Sequence, residues 1–366
     1  MRERFTLGIE EEFQLVDPET RALKSHIEEM MAAGVHLGEQ IKRELHQSVV
    51  EVGTPICADI REARENVKRL RRSLVSMAEA SGARIVAAGT HPFSHWKDQE
   101  ITGQVRYTDI VNEMEDLARA NLIFGLHVHV GVEDREMQIQ IMNGVRAFLP
   151  HLLALSVNSP FWCGRKTGVR SVRSTIFKRF PRTQIPDYFH SWDDYAKYVE
   201  LLVRTNCIDD AKKIWWDIRP HAYFKTLEFR ICDIPCRAEE TVAIAALCQA
   251  LVAKLHRLFE SNLGIRNYSR AVVEENKFRA VKAGLDGKMI DFALRAEATT
   301  RSLILEVLHF VDDVVDELGT REEMRFLHAW AASGDTGADR QLRVFKACGD
   351  LRGVVDALVD ETRQGL

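Results

Sequence analysis

The stretch that decides the fold runs from Phe5 to Val16 and reads FTLGIEEEFQLV. Apolar and polar side chains alternate along it, several of the apolar ones are β-branched or aromatic, and Asp17-Pro18 ends it. This pattern predicts a β-strand. Side chains two residues apart on a strand point to the same face of a sheet. Glu10 and Glu12 therefore project together, and Glu11 points to the opposite face.

Three other predicted strands carry polar side chains in the same way. His127 and His129 alternate with valines in GLHVHVG, Glu228 and Arg230 alternate in TLEFRICD, and Glu51 lies on a strand of its own. Any one pair is equally compatible with a solvated sheet face. If these strands share one sheet, however, its polar face holds at least four carboxylates and two imidazoles.

Crowded carboxylates repel each other, and burial increases the cost of their charge, so they need cations between them. Oxygen-rich clusters select hard ions such as Mg²⁺ or Mn²⁺, and a histidine among the ligands is compatible with Mn²⁺. The alternating pattern therefore predicts a metal site on the polar face.

Composition excludes several classes of protein. The chain has 366 residues, 46% hydrophobic and 28% charged, with a net charge of −4. This balance gives no drive toward nucleic acid or an anionic membrane. The N-terminus lacks the apolar region of a secretory signal, and we expect no run long enough to cross a membrane. Seven irregularly spaced cysteines do not form a disulfide framework. We expect a soluble, cytoplasmic protein.

The organisation along the chain favours one elaborated α+β domain. Residues 1–235 mix short strands with helices, and residues 236–366 are predicted to be almost entirely helical, with no linker at the junction. We expect a sheet-containing core with the active site, covered by a helical layer. The chain contains none of the GxxxxGK[ST], GxGxxG, HExxH or GxSxG motifs.

A polar segment from Asn158 to Ser191 is too long for an ordinary connection and is predicted to be a functional loop. Seven cations lie within it: Arg165, Lys166, Arg170, Arg173, Lys178, Arg179 and Arg182. They form either a solvated surface or a clamp for polyphosphate. Arg219, after two tryptophans in WWDIRPH, is expected to be partly buried and to bind an anion. A carboxylate–metal cluster beside basic residues favours phosphoryl transfer.

At these residues the sequence resembles the carboxylate-amine ligase family, also called glutamate–cysteine ligase 2. The motifs that carry the resemblance are GIEEEFQLVD, SVVEVGTP, AAGTHPF, FGLHVHVG, LSVNSPFW and the stretch from WWDIRPH to LEFRICDIP, in that order, over residues 5 to 235. The resemblance implies a glutamine-synthetase-like core, in which a curved, mainly antiparallel sheet forms a funnel-shaped active site with helices outside. It also implies ATP-dependent amide formation through an acyl phosphate.

The resemblance assigns roles to particular residues of this chain. The metal ligands it implies, for Mg²⁺ or Mn²⁺, are Glu10, Glu12, Glu44, Glu51, His127 and Glu228. The residues expected to contact anionic groups during catalysis are Arg230, Arg173 and Arg219. ATP is expected to be bound by Arg173 and Arg230, together with Arg182 and Lys178 from the basic segment described above. The roles of His91 and His129 stay open, since His91 is equally compatible with a turn histidine satisfied by the backbone.

Three hypotheses for function follow. The leading one is a ligase that joins a carboxylate, by default the γ-carboxyl of glutamate, to an amine such as cysteine. The alternative is a metal-dependent hydrolase that uses the same carboxylates with His127 and His129 but no nucleotide. The third is a catalytically idle relative that only binds a ligand or partner. Small-molecule substrates and a homodimer are the partners that we expect, without nucleic acid or membrane.

Overall fold

The computed structural model describes residues 4–33 and 38–366 of the chain. Its strands are β1 (Leu7–Val16), β2 (Ile41–Arg43), β3 (Val49–Gly53), β4 (Arg84–Val86), β5 (Gly125–Gly131), β6 (Phe161–Trp162), β7 (Arg165–Lys166), β8 (Thr183–Gln184), β9 (Trp215–Trp216), β10 (Ile218–Pro220), β11 (Thr226–Asp233), β12 (Lys288–Asp291) and β13 (Ala296–Thr299). Its α-helices are α1 (Ile27–Ala33), α2 (Ile60–Ala80), α3 (Val105–Met114), α4 (Asp116–Arg119), α5 (Arg135–Val145), α6 (Leu149–Ser156), α7 (Val172–Phe177), α8 (Trp192–Arg204), α9 (Ala238–Glu260), α10 (Arg270–Ala283), α11 (Thr300–Phe310), α12 (Asp312–Leu318), α13 (Arg321–Ser333), α14 (Gly337–Cys348) and α15 (Leu351–Arg363).

One seven-stranded sheet organises the molecule. Its strand order is β10-β11-β5-β1-β3-β2, and β4 pairs with the end of β1. Every pairing in this sheet is antiparallel. The prediction of an α+β fold with a mainly antiparallel sheet and outer helices is confirmed. The four strands expected to share one sheet are all in it.

The two faces of the sheet differ because side chains alternate along each strand. Ile9, Val128 and Phe229 point to the face opposite the carboxylates and belong to the larger apolar core. The central helix of that core is α9, which packs against β5 as well as α2, α5 and α13. Burying each of these large side chains stabilises the fold by roughly 1.5–3 kcal/mol.

Helix α9 corrects one expectation about composition. By length and hydropathy, its 23 residues could cross a membrane, which contradicts the absence of such a run expected from the sequence. In the structure, however, 78% of its most apolar window is buried inside the protein. The helix therefore serves as the central core helix beneath the sheet.

The C-terminal third is mostly helical, as expected, but it also contains the β12–β13 hairpin. Its last helix returns to the N-terminal part of the chain. Val354 and Leu358 of α15 belong to the same apolar cluster as Ile85 and Val86 of β4. The organisation as a single catalytic domain over residues 1–366 stays a prediction that these contacts support.

Some element boundaries differ from the sequence predictions. The segment expected to be a loop from Asn158 to Ser191 contains the β6–β7 hairpin, α7 and β8. Helices α3 and α4 are separate because Glu115, which lies between them, has a φ of 50° that cannot continue an α-helix. The short strands β2 and β10 were not predicted.

Candidate active site

Polar side chains from three adjacent strands meet on the open face of the sheet. Strand pairing places Glu10 of β1 opposite His127 of β5, and His129 opposite Glu228 of β11. Possible ligand atoms of Glu10, His129 and Glu228 lie within 4.8 Å of one another. The Glu10 Oε2 atom is 3.5 Å from His127 Nδ1 and 3.6 Å from His129 Nε2. We call Glu10, His129 and Glu228 the metal-candidate group.

Two arginines hold Glu228 in place. The Arg219 Nε atom donates to Glu228 Oε2 at 2.8 Å, and its Nη2 lies 3.3 Å from Oε1. Arg230 also donates to Glu228 Oε1. Burial would raise the pKa of Glu228, but the charges of Arg230 and Arg219 hold it well below its usual value. Glu228 is therefore ionised and oriented, as a ligand for a cation must be.

Arg219 has little capacity left for a substrate. Its Nη1 donates to the backbone carbonyls of Lys212 and Ile214, at 2.8 Å and 2.5 Å, and the side chain is nearly fully buried. These contacts favour a role for Arg219 in orienting Glu228 over the direct anion contact predicted from the sequence.

A second group of carboxylates lies one strand away. Glu12 of β1 pairs directly with Glu51 of β3. Burial and the charge of Glu51 raise the pKa of Glu12 to about 7. Burial and the charges of Glu10 and Glu44 raise the pKa of Glu51 to about 8. Glu44 therefore lies close enough to act on Glu51, and its Oε2 atom accepts a hydrogen bond from the Leu45 amide at 3.3 Å. The raised pKa values indicate that Glu12 and Glu51 have too little positive charge around them to be fully ionised at neutral pH.

One lysine partly supplies that charge. Lys42 of β2 lies opposite Glu51, and its Nζ atom is 2.8 Å from Glu51 Oε1 and 3.0 Å from Glu10 Oε1. It thus joins the two groups of carboxylates. Sequence reasoning missed it because β2 is only three residues long.

Arg173 reaches the same face from α7. Its Nη1 and Nη2 atoms donate to the carbonyls of Ile231 and Arg230 at 3.3 Å, and its charge opposes the raised pKa of Glu12. A Cβ atom at Gly125 would lie 2.3 Å from Arg173 Nη2, so only glycine allows this approach. The Gly125 amide also donates to Glu12 Oε2 at 2.5 Å.

The Nε atoms of Arg173 and Arg230 are both buried without a hydrogen-bond partner among the described residues. Unpaired buried donors are costly in folded proteins and suggest a missing acceptor. A guanidinium group binds anionic oxygens more strongly than neutral ones, so these two Nε donors are candidates for contact with a phosphate or carboxylate.

Two other residues predicted to contact the nucleotide, Arg182 and Lys178, do not contact these carboxylates or arginines in the described part of the chain. The Arg182 Nε atom donates to the Lys213 carbonyl at 2.9 Å, and its guanidinium lies 5.5 Å from the centre of the Trp215 ring. Lys178 is exposed at the end of α7. Neither has a contact with the carboxylates in the described part of the chain, and their nucleotide contacts stay predictions.

His91 has a structural environment. Its Nε2 atom donates a hydrogen bond to the Arg21 carbonyl at 2.9 Å, and its Nδ1 atom accepts hydrogen bonds from the backbone N–H groups of Phe93 and Ser94. Burial lowers its pKa to about 3, so it is neutral. Of the two interpretations left open for His91, the turn histidine satisfied by the backbone agrees with the structure.

The donor chemistry of the metal-candidate group fits a divalent cation. It combines two carboxylates and one imidazole, as Mn²⁺ accepts and Mg²⁺ tolerates. His129 Nε2 is buried and has no hydrogen-bond partner among the described residues, while its Nδ1 contacts Thr226 Oγ1 at 3.3 Å. His129, left open from the sequence, is thus placed more directly in this group than His127.

With this geometry in view, comparison with known proteins identifies the family. The glutamate–cysteine ligase family 2 profile matches residues 6–361. The chain belongs to glutamate–cysteine ligase family 2. It is 57% identical over 368 residues to a protein of Solibacter usitatus assigned the name glutamate–cysteine ligase 2, covering 100% of this chain and 95% of that one. A protein of the same name from Roseiflexus castenholzii is 56% identical over 363 residues, covering 99% and 96%.

Solved structures agree on the fold of this family 2 member. It is similar to glutamate–cysteine ligase from Francisella tularensis in complex with AMP, with a TM-score of 0.72 and 12% identity, over 99% of this chain and 90% of that one. It is also similar to a bifunctional glutathione synthetase from Pasteurella multocida, with a TM-score of 0.71 and 15% identity, over 98% and 52%. At such low identity these likenesses establish the fold alone.

Proposed function

We propose that this protein is an ATP-dependent ligase that joins a carboxylate to an amine through an acyl phosphate. One observation carries the proposal most directly. The metal-candidate group lies on the same face as two buried arginines whose Nε donors have no acceptor among the described residues. Family membership and the names of the relatives agree with this chemistry. The hydrolase alternative receives no support from these comparisons.

The reaction has two steps. A carboxylate oxygen of the substrate attacks the γ-phosphorus of ATP, the bond to the β-phosphate oxygen breaks, and ADP leaves. The amine nitrogen then attacks the acyl carbon, the carbon–oxygen bond to phosphate breaks, and the nitrogen loses a proton. The default substrates are L-glutamate and L-cysteine, which would give γ-glutamylcysteine, ADP and phosphate.

The carboxylates and histidines of the polar face would bind the metal ions that this reaction needs. Glu10, His129 and Glu228, with His127 beside them, would hold one Mg²⁺ or Mn²⁺, and Glu12, Glu51 and Glu44 would hold another. A bound divalent cation neutralises phosphate charge and orients the nucleotide.

Arg173 and Arg230 would donate from their free Nε atoms to phosphoryl oxygens, where negative charge increases in the transition state. Arg219 would orient Glu228. In this arrangement no side chain has to act as a general base, because positioning and charge neutralisation supply most of the catalysis.

We expect the protein to act in the cytoplasm, where ATP is abundant. We also expect it to form a homodimer. Neither property is needed for the chemistry above, since the described residues of one chain supply all the groups named.

A coupled assay for ADP release tests the proposal. The protein is given MgATP and glutamate with cysteine or a panel of other amines, beside Glu51→Gln and the exposed control Glu19→Gln. Amine-dependent ADP formation that Glu51→Gln abolishes and Glu19→Gln retains is the expected result. Silence with ATP still bound would mean that the carboxylate is not glutamate. Silence without ATP binding would overturn the proposal and favour the metal hydrolase.

A further inference from the structure

Among the described residues, the same histidine arrangement occurs at His91 and at His221. In each, the Nδ1 atom accepts hydrogen bonds from the backbone N–H groups two and three residues later, at 3.2 Å and 2.9 Å. A nitrogen that accepts two hydrogen bonds carries no proton, so the ring proton must lie on Nε2. Both histidines are therefore fixed as neutral Nε2–H donors.

The two histidines differ in what the Nε2–H group meets. His91 donates to the Arg21 carbonyl at 2.9 Å and is fully buried, which completes its hydrogen bonding. Among the described residues, no atom accepts a hydrogen bond from His221 Nε2, and the ring is only partly buried. The fixed donor of His221 is thus available to a group from outside the chain.

His221 lies at the edge of the metal-candidate group. Its backbone N–H donates to the Thr226 carbonyl at 2.9 Å and so extends the β10–β11 ladder, which puts its side chain on the same face as Arg219. Its ring centre is 5.6 Å from that of His129, with an angle of 64° between the rings. Sequence reasoning missed this residue, although its spacing of two from Arg219 indicated the shared face.

The turn after β10 holds this ring in one orientation. The Phe224 ring stacks on His221 at 4.5 Å with an angle of 13° between the planes. Tyr223 is fixed in turn by its hydroxyl group, which lies 3.0 Å from Asp210 Oδ2, and by Lys212 Nζ at 4.4 Å from its ring centre. A donor held in this way requires little ordering when a ligand binds.

We propose that His221 is a further substrate-contacting residue, whose Nε2–H donates a hydrogen bond to an anionic oxygen held beside Glu10, His129 and Glu228. The oxygen belongs to a phosphate of the nucleotide or to the substrate carboxylate, which share this chemistry. A neutral donor suits the position, because it stabilises the anion without adding a charge next to Arg219 and His129. The inference rests on the proposed function and adds a residue to it.

Two substitutions separate the donor from the turn that holds it. In His221→Asn, the side-chain oxygen can replace Nδ1 as acceptor of the two backbone N–H groups, but the distal donor is lost. In His221→Gln, the amide nitrogen can occupy the place of Nε2, but the local acceptor is lost. His95→Asn is the matched control, since His95 Nδ1 accepts the Lys97 amide in a similar turn away from the carboxylates.

The experiment measures dissociation constants of each full-length protein, by calorimetry, for MgATP, magnesium tripolyphosphate and L-glutamate. Loss of one hydrogen bond to a charged group weakens binding by about tenfold or more. We expect this loss in His221→Asn, a much smaller one in His221→Gln, and none in His95→Asn, with the melting temperature of His221→Asn near that of wild type.

The three probes distinguish the sources of the anionic oxygen. Weaker binding of MgATP and tripolyphosphate by His221→Asn assigns the contact to a phosphate, and weaker binding of glutamate alone assigns it to a carboxylate. If wild type binds the probes and His221→Asn binds them equally well, the role of His221 is overturned while the proposed function stands. If wild type binds none of them, both are overturned.

Discussion

Three consecutive glutamates on β1 show how differently the two faces of one sheet use the same side chain. Glu11 is buried beneath the sheet, where Arg71 donates to its Oε1 at 2.5 Å and to its Oε2 at 3.1 Å, and Thr241 donates at 2.7 Å. Glu10 and Glu12 point to the other face, where several carboxylates lie close together. There Glu10 shares Lys42 with Glu51, while burial and the charge of Glu51 raise the pKa of Glu12 to about 7. Adjacent residues thus have different electrostatic environments.

The buried pair also links distant parts of the chain. Arg71 is fully buried on α2 and donates to the carbonyls of Pro235 and Cys236, directly after β11. It therefore ties β1 to the end of the strand that carries Glu228. The difference between the faces indicates that the pair beneath stabilises the fold, whereas Glu12 and Glu51, whose pKa values are raised by burial and by neighbouring carboxylates, cost stability on the face that we propose binds ligands.

The largest effect is expected beneath the sheet. Arg71→Met leaves the Glu11 carboxylate buried and unpaired, which should lower the free energy of unfolding by about 3–5 kcal/mol in urea titrations. The double variant Arg71→Met/Glu11→Met removes both charges and should recover most of this loss. Equal stabilities of the single variant and wild type would contradict a structural role for the pair.

The opposite result is expected on the polar face. The pKa of Glu51 is raised to about 8, so at neutral pH its side chain is already mostly protonated in the metal-free protein, and Glu51→Gln should leave the stability within about 1 kcal/mol of wild type. Wild type should gain about 2.7 kcal/mol from Mn²⁺ at a hundred times its Kd. Thermal unfolding with EDTA and with Mn²⁺ measures both effects. A variant that is less stable without metal and keeps the full Mn²⁺ gain would mean that Glu51 is structural.

Low pH should destabilise the folded protein through histidines that are buried in their neutral form. Burial lowers the pKa of His91 to about 3 and that of His46 to about 4. Below the unfolded value near 6.5 the unfolded chain takes up protons that the folded chain refuses, so stability is present above pH 6.5 and falls as the pH is lowered. Each such group contributes a slope approaching about 1.4 kcal/mol per pH unit.

In His91→Gln, about one proton fewer should be taken up when the protein unfolds in acid, so its free energy of unfolding should fall less steeply as the pH is lowered. The measurement is the free energy of unfolding between pH 7 and pH 4.5 for wild type and variant, compared by slope rather than by absolute stability. Parallel curves would show that His91 is not held neutral in the folded protein.

The smallest effect is expected at Lys42, whose side chain is 49% exposed. Lys42 is half exposed although its partner Glu51 is buried, and Glu51, with its pKa raised to about 8, can hold a proton when the lysine is removed. Lys42→Met should therefore change the stability of the metal-free protein by about 1 kcal/mol or less. Its loss should strengthen Mn²⁺ binding, because the ammonium group no longer competes for Glu10 and Glu51. Calorimetric titration with Mn²⁺ measures this, and weaker binding by the variant would show that Lys42 assists the site.

The alternation of strand residues explains how much the sequence could predict. The alternation of side chains between the two faces of a strand can be read from a short stretch of sequence. It therefore predicts which side chains of β1, β5 and β11 share a face, without knowledge of which strands pair. Lys42 lies on a strand of three residues, which is too short to show a period, and at His221 the spacing of two from Arg219 was the one indication of a shared face. The surroundings of Arg182 and Arg219 depend on contacts with distant backbone carbonyls, which no local pattern contains.

The most direct test compares Glu10→Gln with Glu11→Gln, neighbouring residues with the same substitution on opposite faces. Mn²⁺ binding by calorimetry is measured alongside urea unfolding of the metal-free proteins. We expect Glu10→Gln to lose Mn²⁺ affinity and keep its stability, and Glu11→Gln to lose stability and keep Mn²⁺ affinity when folded. Full Mn²⁺ affinity in Glu10→Gln would contradict the placement of the cation site on this face.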